Sequence, residues 1–380
     1  MKILSVLGTR PEAVKMAPVI KLLEKTPGIE SRVCNTAQHR QMIDQVLDLF
    51  EIKPEYDLDL MREGQTMANI SAGIFAHLDP ILGEFNPDWV LAVGDTTTVV
   101  TTSLLAFYRK IRFGHIEAGL RTHNKWHPFP EEINRRLATV TADLHFAPTA
   151  WSQGNLLREG IEPEKIIVTG NPVIDALHYV AHQEEPIEIT DLLNNLSVSN
   201  HATTGLATRR LILVTAHRRE NFGQPIENIC HALRELARHT DVEIVYPVHL
   251  NPNVQEPVNR ILKGVEHVTL LPPLDYLPLV HLMKRARLIL TDSGGIQEEA
   301  PTFGIPVLVM RETTERPEGV EAGTLKLVGT ESSRIVQEAK RLLDDPSAYA
   351  QMSKAANPYG DGHAAERILA ALLKSVDSHF

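Results

Sequence analysis

Cysteine is scarce in this chain of 380 residues, which contains only Cys34 and Cys230. Two cysteines so far apart in sequence are more typical of small buried apolar residues than of a disulfide, so no redox function follows from them. The apolar segment from Met1 to Leu7 is one strand long and runs directly into Gly8-Thr9-Arg10, unlike a secretory signal. The sequence therefore predicts a cytoplasmic protein.

Long apolar runs, a positive net charge and metal-binding motifs are also missing. No apolar segment approaches the roughly 18 residues that a membrane-spanning helix needs, so we expect no membrane anchor. The formal net charge of -10 argues against nucleic acid as the main partner. The chain has 17 histidines, but it lacks cysteine-pair and His-Glu-x-x-His spacings, so we expect no metal site.

Short β-branched segments alternate with amphipathic stretches, which is the pattern of parallel βαβ units. The strands predicted in the first half are Lys2 to Leu7, Ser31 to Thr36, Trp89 to Gly94, Ile111 to Ile116 and Asp143 to Ala147. Those predicted in the second half are Leu211 to Thr215, Glu243 to Val248, His267 to Leu271, Arg287 to Thr291 and Pro306 to Met310. The sequence thus predicts an α/β protein with two Rossmann-like domains.

The predicted change of domain lies at Gly170-Asn171, which gives a first domain at 1–170 and a second at 171–363. The polar stretch from His182 to Thr208 is interpreted as an exposed loop. After Ala364, apolar residues fall on one helical face and predict a terminal helix, but its own pattern does not decide which domain it completes. The residues of this face are Ile368, Leu369, Leu372, Leu373 and Val376.

Polar residues follow the predicted strands directly. Ligands of open parallel sheets bind beyond the carboxyl ends of the strands. These positions hold Arg10, Asp95, Glu117, His217 and the segment Asp292-Ser293-Gly294-Gly295. Because both sets of strands carry such residues, we expect the two sheets to face a central cleft that collects them.

The segment from Leu288 to Gly304 reads LILTDSGGIQEEAPTFG. Glycines between a strand and a helix let backbone N–H groups approach an anion closely, and the helix dipole adds positive charge there. We therefore predict that Ser293-Gly294-Gly295 binds a diphosphate and that Glu299 accepts hydrogen bonds from a ribose diol. The alternative is a plain helix N-cap at Asp292 or Ser293.

Arg10 and Arg316 are candidate phosphate clamps, because a guanidinium can donate two parallel hydrogen bonds to a phosphate. The alternative for a lone arginine after a strand, such as Arg10, is a solvated surface charge. Arg10 directly precedes Pro11 at a predicted helix start. Asp95 is a candidate catalytic carboxylate that would also fit a turn or a helix cap. Glu117 ends a buried strand, where a carboxylate without a function would be costly.

Glu131 and Glu132 open a helix after Pro130, and compensation of the helix dipole explains one of them. His217 follows a buried strand. A lone histidine is usually a core imidazole, but the position at a strand end favours a functional role. Glu131 and His217 are therefore candidates beside Asp95 and Glu117.

The ordered motifs resemble those of the non-hydrolysing bacterial UDP-N-acetylglucosamine 2-epimerases over nearly the whole chain. The matching segments are GTRPEAVKMAP from Gly8, TAQHRQM from Thr36, GDTTT from Gly94, HIEAGLRT from His115, PEEINRR from Pro130, TGNPVIDAL from Thr169, AHRRENFG from Ala216, YPVHLNPNV from Tyr246, TDSGGIQEEAP from Thr291, RETTERPE from Arg311 and NPYGDG from Asn357. The resemblance implies a glycosyltransferase-B fold, with the terminal helix at about 364–380 returning to the first domain.

The resemblance also implies reversible conversion of UDP-N-acetylglucosamine to UDP-N-acetylmannosamine, through elimination of UDP, a 2-acetamidoglucal and re-addition, without a cofactor. It implies that the catalytic residues are Asp95, Glu117, Glu131 and His217. The substrate-binding residues that it implies are Arg10, Lys15, Tyr276, Leu279, Ser293, Gly294, Gly295, Glu299 and Arg316. Tyr276 to Leu279 would contact uracil through the backbone.

The resemblance further implies that the protein is a homodimer and that its product is used for envelope or capsular polysaccharide. It also implies a second UDP-sugar site that activates the enzyme. The candidate residues of the activating, allosteric site are Gln38, His39, Gln41 and His249. This chain has Gly64 where some members of the family have arginine.

Three other functions are compatible with the same fold. A hydrolysing epimerase would release free N-acetylmannosamine, and a UDP-sugar glycosyltransferase would need an acceptor groove. A nucleotide-sugar sensor without turnover would use the carboxylates only for structure. The fate of the sugar C2 proton separates these alternatives from the epimerase.

Overall fold

The protein is described by a computed structural model that covers residues 1–36, 40–60, 64–198, 209–239 and 241–377. The chain divides into two compact units. One comprises Met1–His178 together with the segment that begins at Tyr359, and the other comprises Tyr179–Pro358. No helix within the described ranges combines the length and the apolarity required to cross a membrane.

The first unit contains a seven-stranded parallel sheet in the order β3-β2-β1-β4-β5-β6-β7. Its strands are β1 (Lys2–Leu7), β2 (Glu30–Asn35), β3 (Tyr56–Asp57), β4 (Trp89–Val93), β5 (Arg112–Ile116), β6 (Leu144–Ala147) and β7 (Ile166–Val168). Every residue of β4 is buried, as expected for a central strand covered on both faces. In register, Ile3 of β1 lies opposite Ser31 of β2 and Trp89 of β4.

The helices that connect these strands follow the βαβ pattern. They are α1 (Arg10–Lys25), α2 (Arg40–Leu49), α3 (Met67–Phe85), α4 (Thr97–Tyr108), α5 (Glu131–Thr141), α6 (Ala150–Arg158) and α7 (Pro172–Ala181), with a 3-10 turn at Pro163–Lys165. Both α3 and α4 begin at threonine N-caps, because the Thr66 and Thr96 hydroxyls accept hydrogen bonds from Asn69 N and Val99 N.

The second unit repeats this architecture with a six-stranded parallel sheet in the order β10-β9-β8-β11-β12-β13. Its strands are β8 (Arg210–Thr215), β9 (Val242–Pro247), β10 (Val268–Leu271), β11 (Leu288–Thr291), β12 (Val307–Val309) and β13 (Leu325–Leu327). Counted within its unit, this order is that of the first six strands of the other sheet. The predicted fold class, α/β with two Rossmann-like parallel sheets, is confirmed.

The second unit also contains helices between its strands. They are α8 (Ile187–Asn195), α9 (Gln224–Leu236), α10 (Pro252–Leu262), α11 (Tyr276–Arg285), α12 (Gly294–Glu299), α13 (Pro317–Glu321), α14 (Ser332–Asp344) and α15 (Pro346–Ser353), with 3-10 turns at Arg219–Asn221 and Ala300–Phe303. The loop predicted from His182 is wrong where α8 lies, because Ile189 and Leu193 are buried one turn apart. The part of that predicted loop at 199–208 lies outside the described residues.

The predicted terminal helix is present as α16 (Ala364–Asp377) and packs against α1 in the first unit. The Asp175 carboxylate accepts hydrogen bonds from Ala364 N at 3.2 Å and Ala365 N at 2.9 Å, which satisfies the first N–H groups of the helix. Ile368 and Leu372 are fully buried. Leu373, predicted on the same face, is 44% exposed, because its position turns away from the buried stripe.

Candidate active site

The turn after β1 and the turn after β4 are tied together by one buried carboxylate. Glu12 accepts hydrogen bonds from Gly8 N at 2.8 Å, Thr9 N at 2.7 Å and Thr96 Oγ1 at 2.5 Å. Burial raises the pKa of Glu12, although these donors oppose the rise. The interaction fixes the start of α1, where the half-buried Arg10 is the first helical residue.

Lys15 and Glu117, two predicted site residues, form an ion pair through Lys15 Nζ and Glu117 Oε1. Asn171 Nδ2 donates a further hydrogen bond of 2.9 Å to the same oxygen. Glu117 has a positive φ of 63°, a conformation that is strained for residues other than glycine and that concentrates at functional sites. Because its side chain is only 4% exposed, the carboxylate needs partners such as Lys15 and Asn171 to compensate for its burial.

Asp95 follows β4 and is not the cap of α4, since Thr96 occupies that position. The Asp95 carboxylate accepts a hydrogen bond from Arg135 Nη2 through Oδ2 at 2.5 Å. The Asp95 backbone carbonyl accepts another from Asn134 Nδ2 at 2.9 Å. Helix α5 therefore fixes both the backbone and the side chain of this predicted catalytic residue.

The two glutamates that open α5 have different environments. Glu131 is half-buried at the first helical position. Glu132 is completely buried and accepts hydrogen bonds from Thr122 N at 3.0 Å and His123 N at 3.1 Å. Glu132 is thus the structural member of the pair. Glu131 lies in the same helical turn as the residues that hold Asp95.

Two buried histidines lie side by side in the first sheet. His115 Nε2 is 2.7 Å from the Gly94 carbonyl oxygen, so the imidazole supports the turn that precedes Asp95. Burial lowers the pKa of His115 to about 4. His145 is its direct neighbour across β5 and β6, and burial lowers its pKa to about 3. Both imidazoles are therefore neutral near pH 7.

In the second unit, the Asp292 carboxylate organises the turn after β8. It accepts hydrogen bonds from His217 N at 2.8 Å, Arg218 N at 2.8 Å and Asn221 Nδ2 at 3.0 Å. Asp292 is therefore not the cap of α12, and Ser293, which has the N-cap position, makes no capping hydrogen bond through its side chain. The interpretation of this segment as a plain N-cap is wrong.

His217, which follows β8, has a shifted pKa. Burial lowers the pKa of His217, the Arg218 and His249 side chains add to this shift, and the Asp292 carboxylate opposes it. The ring of His249 lies 5.5 Å from that of His217, measured between centroids. The structure thus brings together a predicted catalytic residue and a predicted allosteric one.

The adjacent glutamates of α12 bind different partners. Glu298 Oε1 accepts a hydrogen bond from Arg316 Nε at 2.6 Å, and Glu299 Oε2 accepts one from Tyr276 Oη at 3.0 Å. A Cβ atom on Gly294 would lie 2.5 Å from Arg316 Nη1. Glycine is therefore needed at Gly294 because the guanidinium of Arg316 rests directly on the helix backbone.

Glu315 is a residue that the sequence reasoning missed. Its carboxylate lies 2.8 Å from Arg311 Nη1, 2.8 Å from Arg316 Nη1 and 3.3 Å from Arg218 Nη2. Burial favours the neutral form, but the three guanidinium groups lower the pKa of Glu315 far below its ordinary value. The sequence showed none of these contacts, because residues 311–316 do not form a helix in which an i,i+4 spacing would bring two side chains together.

The structure provides less information about the remaining predicted site residues. Leu279 lies in the first turn of α11, where its N–H donates to Asp275 O at 3.1 Å. Gln38 and His39 lie outside the described residues, as does the side chain of Gln41. Across the ranges that the structure covers, no group of three or more histidine, cysteine or acidic side chains is arranged to hold a metal ion.

Comparisons with known proteins agree with these features. The family model described as UDP-N-acetylglucosamine 2-epimerase matches residues 21–373. The chain is 57% identical to the UDP-N-acetylglucosamine 2-epimerase of Yersinia pestis and 58% identical to that of Salmonella typhimurium, in each case over 98% of both chains.

Solved structures show the same similarity. The UDP-GlcNAc 2-epimerase of Neisseria meningitidis bound to UDP-GlcNAc is 51% identical, with a TM-score of 0.89 over 98% of this chain and 100% of that chain. The Methanocaldococcus jannaschii enzyme in complex with UDP-GlcNAc and UDP is 32% identical, with a TM-score of 0.81 over 98% of this chain and 100% of that chain. This chain therefore belongs to the UDP-N-acetylglucosamine 2-epimerase family.

Proposed function

We propose that this protein interconverts UDP-N-acetylglucosamine and UDP-N-acetylmannosamine by inverting C2 of the sugar. The observation that carries the proposal is the pair of carboxylates at neighbouring strand ends, Asp95 and Glu117, each bound to the side chain of a basic residue, Arg135 or Lys15. Family membership and the nucleotide-sugar ligands of the Neisseria and Methanocaldococcus relatives support this substrate class.

The chemistry requires the nucleotide to leave. C2 bears an acetamido group rather than lying next to a carbonyl, so direct loss of its proton would give an unstabilised carbanion. In the proposed reaction, the bond between C1 and the UDP oxygen breaks and its electron pair leaves with UDP. A base accepts the C2 proton, and the electron pair of the C–H bond forms the C1–C2 double bond of 2-acetamidoglucal. Re-addition of UDP with protonation from the other face gives the epimer.

The groups of the second unit are proposed to bind UDP. Arg316 and the Ser293-Gly294-Gly295 turn would stabilise the negative charge that grows on the departing diphosphate. Glu299, held by Tyr276, would accept hydrogen bonds from the ribose, and the backbone from Tyr276 to Leu279 would contact uracil. Arg10 of the first unit is proposed as a second phosphate ligand.

The acid-base groups are proposed to come from the strand ends. Asp95 and Glu131 would transfer the proton at C2 on its two faces. Glu117, paired with Lys15, would act as a base or stabilise positive charge on the sugar ring. His217 would donate a hydrogen bond or a proton to the phosphate.

Incubation of the pure protein with UDP-N-acetylglucosamine in heavy water tests the proposal, with C2 followed by NMR. We expect deuterium at C2 of both UDP-sugars. Free N-acetylmannosamine that accumulates in step with UDP would identify a hydrolysing epimerase instead. If no deuterium enters C2 in the absence of an acceptor, the protein is a glycosyltransferase or a sensor instead.

We propose that the protein is a homodimer that works in the cytoplasm. Exposed apolar side chains on α4 and α5, which pack against each other, support a subunit interface. They are Phe107, Tyr108, Leu137 and Val140, exposed by 63%, 66%, 47% and 81%. Sedimentation velocity tests the assembly, and a monomer at micromolar concentration would contradict it.

Regulation by a second UDP-sugar is a further proposal. The proximity of His249 to His217 supports a route by which a ligand at His249 would influence catalysis. Gln38, His39 and Gln41 are proposed to complete this allosteric site. Titration of activity with UDP-N-acetylglucosamine should give a sigmoidal curve, and a hyperbolic curve would argue against activation.

A further inference from the structure

We infer that Arg135 is a positioning residue that orients the Asp95 carboxylate for proton transfer at C2. This inference rests on the proposed function. It deepens that function because it assigns a role to a side chain that itself contacts no reacting atom. Four features of helix α5 carry the argument.

The first feature is the geometry of the contact. The side chain of Arg135 is only 6% exposed, and that of Asp95 is 24% exposed. Arg135 Nη2 binds Oδ2 of Asp95, whereas Oδ1 of Asp95 makes no hydrogen bond to any side chain or backbone group in the described ranges. One carboxylate oxygen is thus fixed by a buried cation and the other is left to accept a proton.

The second feature is the way in which the buried cation is compensated. Arg135 Nη1 lies 3.5 Å from the Glu132 carboxylate, which is fully buried. Glu132 is itself fixed by the backbone N–H groups of Thr122 and His123. Arg135 therefore lies between an anchored structural carboxylate and the predicted catalytic one, and both compensate its buried charge.

The third feature is incomplete hydrogen bonding. Nε and Nη1 of Arg135 are buried without a hydrogen-bond partner in the described structure. A buried donor left in this state costs about 1–3 kcal/mol. An arginine retained only for stability would be expected to use more of its five donors. The single strong hydrogen bond of Arg135 is instead made to Asp95.

The fourth feature is the shared helix. Asn134 holds the Asp95 carbonyl at 2.9 Å, and Glu131 opens the same helix. The first turn and a half of α5 therefore sets Asp95 and Glu131, the two proposed proton-transfer groups, relative to each other. Arg135 supplies the part of this arrangement that fixes the carboxylate itself.

The test compares Arg135→Gln and Arg135→Lys with Arg136→Gln as the matched control. Arg136 also approaches Glu132, at 3.4 Å, but its side chain is 43% exposed. In the full-length protein, Arg135→Gln should lower kcat on the order of 100-fold, as expected when general acid-base catalysis is impaired. KM should stay within about threefold of the wild-type value, because Arg135 touches no substrate. Arg135→Lys should restore part of the rate.

The isotope effect identifies the step affected. With UDP-N-acetylglucosamine deuterated at C2, the primary isotope effect on kcat should rise in both Arg135 variants, because proton transfer then limits turnover. A lower folded fraction would reduce kcat without changing the isotope effect. Should Arg135→Gln not fold, Arg135→Lys, which keeps the charge, decides the question.

The inference is overturned if the folded Arg135 variants turn over within about threefold of Arg136→Gln. It is equally overturned if their kcat falls while the isotope effect approaches one, because the defect would then lie outside proton transfer. Failure of the proposed function has a different signature, since the wild-type protein itself would then incorporate no deuterium at C2.

Discussion

Replacement of Gly294 by alanine is expected to weaken UDP binding by displacing Arg316. The added Cβ would lie 2.5 Å from Nη1 and 2.7 Å from Cζ of the guanidinium. Heavy atoms in contact are normally about 3.5 Å apart, so the guanidinium must move by about 1 Å. The far end of an arginine normally moves at little cost, but here the side chain is only 9% exposed and is held by Glu298 and Glu315.

The expected loss of UDP affinity can be estimated from the hydrogen bonds of Arg316. Arg316 Nε lies 2.6 Å from Glu298 and Nη1 lies 2.8 Å from Glu315, so a shift of about 1 Å takes both beyond hydrogen-bond range. A hydrogen bond to a charged group contributes about 1.5–3 kcal/mol. Loss of one such bond from Arg316 to the diphosphate corresponds to roughly 10- to 150-fold in Kd.

Titration calorimetry with UDP measures the change, with Gly154→Ala as the control. A Cβ on Gly154, in α6, would also meet an arginine, but at 3.5 Å from Arg158 Nη1, which is an ordinary contact distance. We expect less than about a fivefold loss of affinity for this variant. Thermal unfolding should show that both variants are folded. Equal losses in the two variants, or wild-type affinity in Gly294→Ala, would refute the proposed role of the glycine.

Two further predictions concern pH. Because burial raises the pKa of Glu12, the folded state binds this proton more tightly than the unfolded state, and the free energy of unfolding should fall as pH rises above 4.5. Glu12→Gln keeps an acceptor for Gly8 and Thr9 and should abolish this component in urea unfolding between pH 4.5 and 7; an unchanged slope would contradict it. The lowered pKa values of His115 and His145 have the opposite effect on the free energy of unfolding. The two neutral imidazoles contribute their full stabilisation above pH 6.5, and this contribution is lost as pH falls toward 4. His145→Phe should remove roughly 3 kcal/mol of the acid-induced loss, and the same loss in variant and wild type would show that His145 is already protonated in the folded state.

The central strands and the edge strand β10 were predictable from sequence, whereas the other three edge strands were not. Strand β1 was predicted with the bounds observed, because its apolar run is continuous and buried. The unpredicted strands β3, β7 and β13 contain two or three residues each and lie at the ends of their sheets. A segment of that length is too short to show a period of two. Such a short segment becomes a strand only because it pairs with a longer neighbouring strand.

The candidate site was likewise only partly predictable from the sequence. Residue types at strand ends were visible in the sequence, so Asp95 and Glu117 were predicted from local pattern. Their partners Arg135 and Asn171 were not assigned, because the contacts join residues far apart in the chain. The start of α5 contains two adjacent arginines, Arg135 and Arg136, and the sequence does not show which of them is buried.

The position of α16 has a consequence for biosynthesis. The helix packs on α1, yet the whole of Tyr179–Pro358 separates it from the rest of its unit. At a translation rate of about 5–20 residues per second, the ribosome needs roughly 10 to 40 s to make that intervening stretch. During this time the nascent amino-terminal half presents an uncovered apolar surface on α1, where chaperones can bind before the last helix emerges.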